Sequence, residues 1–221
     1  MIDRLLSFVA PHHCCSCGKS GSLLCDDCKY NIDFETKSLC LECLRPCGAT
    51  GLCNTCRVPY SRAWHVGERK DVLQRLIGLY KFERAKAAYV DLGDLLLAAL
   101  PDLPPDIIVV PIPTLASHIR QRGYDHTLLI ARHVAKTKHL KLEQALVRRS
   151  ATTQRYSSAS VREIQAKDAF GANQKLDQQK TYLLIDDVAT TRSTIKYAAK
   201  TLRDAGAGDV WVAVIARQVL D

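Results

Sequence analysis

The chain has 221 residues, 47% of them hydrophobic and 24% charged, and its formal net charge is +8. This composition is typical of a soluble globular protein, and the length suffices for one α/β domain with a smaller appendage. No apolar run approaches the roughly 20 residues needed to cross a bilayer, so no membrane span is expected. The first eleven residues are too short and too acidic for a secretory signal, and we expect a cytoplasmic protein.

The positive charge is concentrated in one segment. Residues 117–167 contain eleven Lys and Arg against three Asp and Glu, which accounts for the whole excess. Such a concentration favours a polyanionic partner, either a pyrophosphate group or a nucleic-acid backbone. A solvated basic face is the alternative explanation.

All ten cysteines lie between Cys14 and Cys56, and eight of them form four Cys-x-x-Cys pairs. The pairs are Cys14/Cys17, Cys25/Cys28, Cys40/Cys43 and Cys53/Cys56, which leaves Cys15 and Cys47. Zn²⁺ prefers four thiolates in a tetrahedron, which two such pairs can provide. We therefore predict structural zinc, with sequential pairing as the simplest arrangement and interleaved pairing still open. A redox dithiol or an iron–sulfur cluster is the alternative.

The region 1–60 has too few apolar residues to fold alone, so metal binding should supply its folding energy. We predict a double zinc ribbon there, with Gly18, Gly48 and Gly51 at positions of positive φ. His12 and His13 are expected to be exposed loop residues rather than ligands.

Strands and helices alternate along residues 61–221. Helical spacing of apolar residues predicts two helices between residues 71 and 100, on either side of a turn at residues 81–86. A β-branched run at residues 106–113 predicts a buried strand, followed by a helix at about 127–138. A strand at 181–185, a helix at 193–205 and a strand at 209–216 complete the pattern. This alternation predicts a parallel α/β sheet flanked by helices.

The most informative segment is residues 183–194, Leu-Leu-Ile-Asp-Asp-Val-Ala-Thr-Thr-Arg-Ser-Thr. Backbone amides of the turn and of the following helix form an anion site, to which the hydroxyls of residues 190, 191, 193 and 194 add donors. Asp186 and Asp187 would accept hydrogen bonds from sugar hydroxyls, directly or with help from Mg²⁺. An anion site next to two carboxylates that can bind a diol predicts a site for ribose 5-phosphate. A strand followed by a simply capped helix is the alternative.

This pattern resembles the signature of type I phosphoribosyltransferases, an apolar strand followed by Asp-Asp-Val-x-Thr-Thr-Gly-x-Thr. The resemblance implies binding of 5-phosphoribosyl-1-pyrophosphate (PRPP) with Mg²⁺. Arg192 stands where the family has glycine, and its guanidinium can pair with the phosphate instead. The implied ligand-binding residues are Lys81, Pro113, Thr114, Asp186, Asp187, Ala189, Thr190, Thr191, Arg192, Ser193 and Thr194. The implied catalytic residues are Asp186, Asp187, Arg149 and Arg162.

Further segments resemble the ComF/GntX branch of that superfamily over nearly the full chain. They are the Cys-x-x-Cys region, Tyr80-Lys81-Phe82, Val110-Pro-Ile-Pro113, Arg120-Gln-Arg-Gly-Tyr-Asp-His126, and residues 149–170, which are similar to a mobile loop that closes over substrate. The resemblance implies a role in bacterial competence, with incoming single-stranded DNA and DNA-uptake or recombination proteins as partners. A metabolic phosphoribosyltransferase acting on a nucleobase or amine, and a zinc-ribbon interaction module with an inert domain, are the alternatives. Catalytic activity is left open.

Overall fold

A five-stranded parallel sheet forms the centre of the protein. The computed structural model describes residues 12–32, 39–149, 169–189 and 193–218, and the structural statements below refer to these ranges. The helices are α1 (Asp26–Tyr30), α2 (Asp71–Phe82), α3 (Ala88–Ala99), α4 (Ala116–Arg122), α5 (His126–Thr137) and α6 (Ser193–Asp204). The strands are β1 (Arg62–Glu68), β2 (Ile108–Pro111), β3 (Lys141–Leu142), β4 (Leu146–Arg148), β5 (Phe170–Ala172), β6 (Thr181–Ala189) and β7 (Asp209–Arg217).

The strand order in the main sheet is β1-β7-β6-β2-β3, and every neighbouring pair is parallel. Strands β4 and β5 form a separate antiparallel pair. The parallel α/β architecture expected from the sequence is therefore confirmed. After β2 the chain moves outward to β3, whereas after β6 it moves in the opposite direction to β7. The carboxyl ends of β2 and β6 thus border a topological switch point, where ligands of open α/β sheets bind.

Apolar side chains cover both faces of the sheet. Along β6, Leu183 and Ile185 belong to the core that includes α2, α3 and α5, whereas Tyr182 and Leu184 belong to the core that includes α6. This alternation follows from the two-residue period of a strand. It explains why β6, buried on both faces, has an almost continuous apolar sequence.

Strand β6 is longer than the sequence predicts. We expected it to end at residue 185, but it pairs with β7 as far as Ala189↔Arg217. Asp186 and Asp187 therefore lie within the strand rather than after it, and they are buried. The two acids therefore lie at the buried carboxyl end of β6 instead of in a surface turn.

The cysteine region packs on both faces of the sheet. We call residues 12–32 the first cysteine segment and residues 39–57 the second cysteine segment. Leu24 and Cys28 of the first segment share a core with Trp64, whereas Leu41 of the second shares the opposite core with Ala63. Trp64 and Ala63 are neighbours on the edge strand β1, so the two segments flank this edge. The predicted domain boundary between residues 60 and 61 stays a prediction.

Among the described helices, none combines the length and the apolar character that a membrane span requires.

Candidate functional site

Two groups of four cysteines bring their sulfur atoms together. One group is Cys14, Cys17, Cys25 and Cys28, and the other is Cys40, Cys43, Cys53 and Cys56; within each group all sulfur atoms lie within 4.8 Å of one another. The separations are 3.6 Å between the Cys17 and Cys25 sulfurs and 3.5 Å between those of Cys43 and Cys53. A tetrahedron with Zn–S bonds of about 2.3 Å has edges of about 3.8 Å. Both groups therefore fit a metal ion of that size, with the cysteine pairs combined sequentially.

Tight backbone turns shape both groups. Gly18 has φ 76° and donates its N–H to the Cys14 carbonyl, and Leu44 has φ 67° and donates to the Cys40 carbonyl. Gly51 has φ 69°, and a Cβ there would lie 1.5 Å from the Ala63 carbonyl oxygen. Positive φ is thus confirmed for Gly18 and Gly51. The same prediction is wrong for Gly48, which does not have a positive φ. In the second turn Leu44 adopts the left-handed conformation instead.

Each group contains a thiol that ionises readily. Hydrogen bonds from the Thr55 hydroxyl and amide lower the pKa of Cys53 to about 5. Burial would raise the pKa of Cys14, but hydrogen bonds from the backbone of Cys17 and Cys25 outweigh it and lower the value to about 6. Thiolates are the form that binds metal, so Cys14 and Cys53 are suited to be the first ligands, whereas burial raises the pKa of Cys56 to about 12 and a metal ion must displace its proton.

A cavity of about 250 Å³ lies at the carboxyl ends of β2 and β6. Its position is the switch point of the sheet, and its lining combines buried acids with basic and hydroxyl side chains. The lining residues are Lys81, Ile112, Pro113, Thr114, Leu115, His118, Arg122, His126, Thr127, Arg148, Asp186, Asp187, Val188 and Thr194. A larger, open groove of about 700 Å³ runs along residues 50–61, but among its lining residues the only charged side chain is that of Arg57.

Asp187 is held by two bases at the floor of the cavity. The Nζ atom of Lys81 lies 2.9 and 2.8 Å from its two carboxylate oxygens, and the Nε2 atom of His126 lies 2.7 Å from Oδ2. Burial would raise the pKa of Asp187, but the hydrogen bond from His126 and then the charge of Lys81 outweigh burial, so the pKa lies below its ordinary value. Arg122 Nη1 lies 2.8 Å from the Nδ1 atom of His126, which fixes the imidazole from its other side. Asp187 is therefore an ionised carboxylate paired with two basic side chains.

Asp186 behaves in the opposite way. Burial, followed by the negative charge of Asp187, raises its pKa to about 7, although its Oδ1 accepts the backbone N–H of Asp187. A neighbouring pair with divergent pKa values is typical of functional sites. A bound cation, or a sugar hydroxyl that donates a hydrogen bond to the carboxylate, would favour the ionised form of Asp186 and lower its pKa.

Three basic side chains line the cavity beside the acid pair. Burial and then the charge of Arg122 lower the pKa of His118, and burial lowers that of Arg148. Lys81, Arg122 and Arg148 face the same space from α2, from α4 and from β4. An anion is the ligand that such a lining attracts.

The structure brings together six of the residues expected from the sequence. Lys81, Pro113, Thr114, Asp186, Asp187 and Thr194 all line the cavity. Ala189 is buried at the end of β6, and Ser193 is the first residue of α6. Arg149 is exposed beside Gly171, and its neighbour Arg148 lines the cavity instead. Arg162, Thr190, Thr191 and Arg192 lie outside the described residues.

Sequence reasoning did not assign His126 and Arg148 to the site. The signal for His126 was present, because Asp125 precedes a helical pattern and caps α5 by accepting the Leu128 N–H. A cap fixes where the helix starts and hence where the next side chain points. Nothing in the sequence distinguishes Arg148 from Arg149, because the alternation of β4 decides which of them faces the cavity.

Curated proteins with similar sequences share names that refer to competence or DNA utilization. The chain is 31% identical to the DNA utilization protein YhgH of Escherichia coli O6:H1 over 195 residues, which cover 82% of the chain and 85% of the relative. It is 24% identical to the competence protein ComFC of Bacillus subtilis (85% and 81% covered) and 28% identical to the competence protein F of Haemophilus influenzae (87% and 96% covered). No family model matches the chain.

Two solved structures are also similar. One is the allosteric regulatory enzyme of purine biosynthesis, at 20% identity and a TM-score of 0.41 over 57% of the chain. The other is the glutamine PRPP amidotransferase of B. subtilis, at 19% identity and a TM-score of 0.40 over 56% of the chain. The matched region spans a quarter of the length of each enzyme.

Proposed function

Since the chain belongs to the ComF family of competence and DNA-utilization proteins, we propose that its cavity binds PRPP together with Mg²⁺. We further propose that the protein acts in the cytoplasm, where it assists the handling of incoming single-stranded DNA in natural transformation. The observation that carries the ligand proposal is the cavity at the switch point, where an acid pair and several basic side chains converge.

The lining can be divided by ligand chemistry. The hydroxyl of Thr194 and the amino end of α6 suit the 5-phosphate, because helix amino ends attract anions. Asp186 and Asp187 suit the ribose diol, and Lys81, Arg122 and Arg148 suit the pyrophosphate. Mg²⁺, when bound, would offset the charge of the pyrophosphate.

We assign zinc to the two cysteine groups, and we assign it a structural role. A shell of four thiolates leaves no position for a reactive water, so it does not support catalysis. The shell instead holds together segments with little apolar content.

Calorimetric titration with PRPP and Mg²⁺ tests the ligand proposal. The native protein should bind, and the double variant Asp186→Asn/Asp187→Asn should not. Asp106→Asn is the matched control, because Asp106 lies at the opposite end of the sheet, where it forms an ion pair with Lys180. Equal heats for the native protein and the double variant would reject the site. Pyrophosphate release on adding a nucleobase or an amine would support the alternative function, a metabolic phosphoribosyltransferase.

Direct contact with a DNA strand is a second candidate function. It is supported by an exposed aromatic ring that lies next to a basic residue of the cavity lining. Phe82 has 68% of its surface exposed, and the guanidinium of Arg122 lies 5.9 Å from the centre of its ring. An exposed ring beside basic groups is suited to stacking a base while the phosphates are neutralised. By contrast, the ring of Tyr124 stacks against that of Tyr80.

Fluorescence anisotropy with a labelled single strand tests this contact. Phe82→Ala should weaken binding by about 1–3 kcal/mol, the contribution of one stacked base. Tyr30→Ala is the control, because Tyr30 is 89% exposed on the first cysteine segment and does not line the cavity. Equal losses in both variants would argue against a specific stacking position.

A further inference from the structure

The second cysteine segment is joined to helix α6 through a buried carboxylate. Glu42 lies between Cys40 and Cys43, and it is 8% exposed. Its Oε1 atom accepts a hydrogen bond from the Tyr60 hydroxyl, and its Oε2 atom lies 2.7 Å from the Nζ atom of Lys196 on α6. A buried carboxylate is costly unless it is paired, so this contact fixes the distance between the cysteine turn and the helix.

Two further contacts join α6 to the second segment and to the residues that follow it. Leu41 is fully buried in the core that also contains Ile195 and Ala199 of α6. At the other end of the helix, Arg203 donates from Nε to the Pro59 carbonyl at 3.3 Å. The second segment therefore contacts the amino-terminal half of α6, and the chain that follows it contacts the carboxyl end of the helix.

Helix α6 supplies one wall of the cavity. It begins at Ser193, and Thr194 lines the cavity two residues before Lys196. Residues two positions apart are separated by about 3 Å along a helix axis. A shift of Lys196 therefore moves the hydroxyl that we assign to the phosphate.

The first cysteine segment lacks this connection within the described residues. Its contacts lie on the opposite face of the sheet, where Lys29 pairs with Asp94 of α3 at 3.5 Å and Arg75 of α2 donates to the Cys15 carbonyl. The two metal groups thus support different helices, although their local geometry is the same.

We infer that a metal ion in the Cys40, Cys43, Cys53 and Cys56 group positions the amino end of α6 for anion binding, with Glu42 and Lys196 as positioning residues. The metal fixes the shape of the Cys40–Cys43 turn, the turn fixes Glu42, and Glu42 fixes Lys196. The consequence for ligand affinity rests on the proposed function, but the coupling of metal and helix does not. Because coupling is reciprocal, a ligand bound at α6 should also slow metal release from this group.

Hydrogen exchange of the zinc-loaded protein tests the coupling without any ligand. Cys43→Ser should make the amides of residues 193–199 exchange about fivefold faster or more, which corresponds to the lower end of typical coupling energies. Cys17→Ser, which damages the other group, should leave this exchange unchanged. Unchanged protection of α5 in both variants shows that the fold persists. Equal exchange at α6 in Cys43→Ser and in the native protein would overturn the inference.

Substitution on the helix itself provides the second test. Lys196→Met should reproduce the faster exchange at residues 193–199. Lys196→Arg keeps the positive charge and should therefore show the same exchange as the native protein. Lys200→Met is the matched control, since Lys200 pairs with Asp204 on the exposed surface of the same helix at 2.9 Å. Native exchange in Lys196→Met would exclude the assigned link.

Titration of the same variants with PRPP and Mg²⁺ separates the two proposals. Affinity should fall about fivefold or more in Lys196→Met and stay native in Lys200→Met. If no protein binds PRPP while exchange still depends on the second metal group, the proposed ligand is wrong and the coupling holds. If PRPP binds equally to all variants and exchange does not change, the coupling is wrong and the ligand holds.

Discussion

Replacing Asp186 by asparagine should make the stability of the protein less dependent on pH between pH 5 and pH 8. Asp186 is 9% exposed, and burial together with the charge of Asp187 raises its pKa from 3.8 to about 7. In the unfolded chain this carboxyl loses its proton near pH 4, whereas in the folded protein it keeps the proton until about pH 7. Folding therefore gains stability from this group below its unfolded pKa and loses that contribution as the pH rises through the folded pKa.

The size of the effect follows from the same shift. One pKa unit corresponds to about 1.4 kcal/mol, and the two units between pH 5 and pH 7 give a loss of about 3 kcal/mol in the native protein. Asparagine cannot ionise, and its side-chain oxygen can still accept the Asp187 N–H. The stability of Asp186→Asn relative to the native protein should thus increase by about 3 kcal/mol between pH 5 and pH 8.

Urea unfolding, followed by the fluorescence of Trp64 and Trp211, measures this difference at each pH. Zinc concentration is kept fixed, so the pH dependence of metal binding cancels between the two proteins. Asp106→Asn serves as the control, because this carboxylate is about half exposed and should show no such change. If the stability difference between Asp186→Asn and the native protein is the same at pH 5 and at pH 8, Asp186 does not have a raised pKa and the reasoning is refuted.

Two further variants test the scaffold around the sites. Lys81→Met should cost about 3 kcal/mol of unfolding free energy, because it removes one of the two basic partners of the buried Asp187 and leaves only the imidazole of His126 beside it; adding Asp187→Asn should recover most of this loss, and strictly additive losses would speak against a coupled pair. Gly51→Ala should cost at least about 2 kcal/mol in thermal unfolding and accelerate zinc release, because its Cβ would collide with the Ala63 carbonyl at a positive φ. Gly48→Ala, with no atom within 4 Å of the added carbon, should behave like the native protein.

The central architecture follows from local sequence patterns. The apolar run before Asp186 and the helical spacing after Asp71 are local signals, and the structure places β6 and α2 there. Strand β1 was missed because Arg62–Glu68 contains Trp, His and Gly in no regular alternation, and its strand character arises from pairing with β7. The hydrogen bonds of a parallel strand come from a distant segment, so its own sequence is a weak guide.

The sequence identified several residues of the site but not which of them contact one another. Asp186, Asp187 and Lys81 were identified from sequence, yet the ion pair of Lys81 with Asp187 spans 106 residues. The length of β6 also depended on a partner, because pairing with β7 kept both acids inside the sheet. Likewise, the cysteine spacing indicated two metal groups, but only the fold shows that they occupy opposite faces.

The second cysteine segment also protects the outer border of the sheet. The N–H of Ala63 on β1 donates to the Thr50 carbonyl, and the Trp64 indole donates to the Ala49 carbonyl, so loop backbone takes the place that another strand would occupy. Exposed strand borders are the usual starting points for chain-to-chain pairing and aggregation. If zinc is scarce while the chain is being synthesised, this border is left uncovered. Metal supply should then determine how much of the newly made protein aggregates.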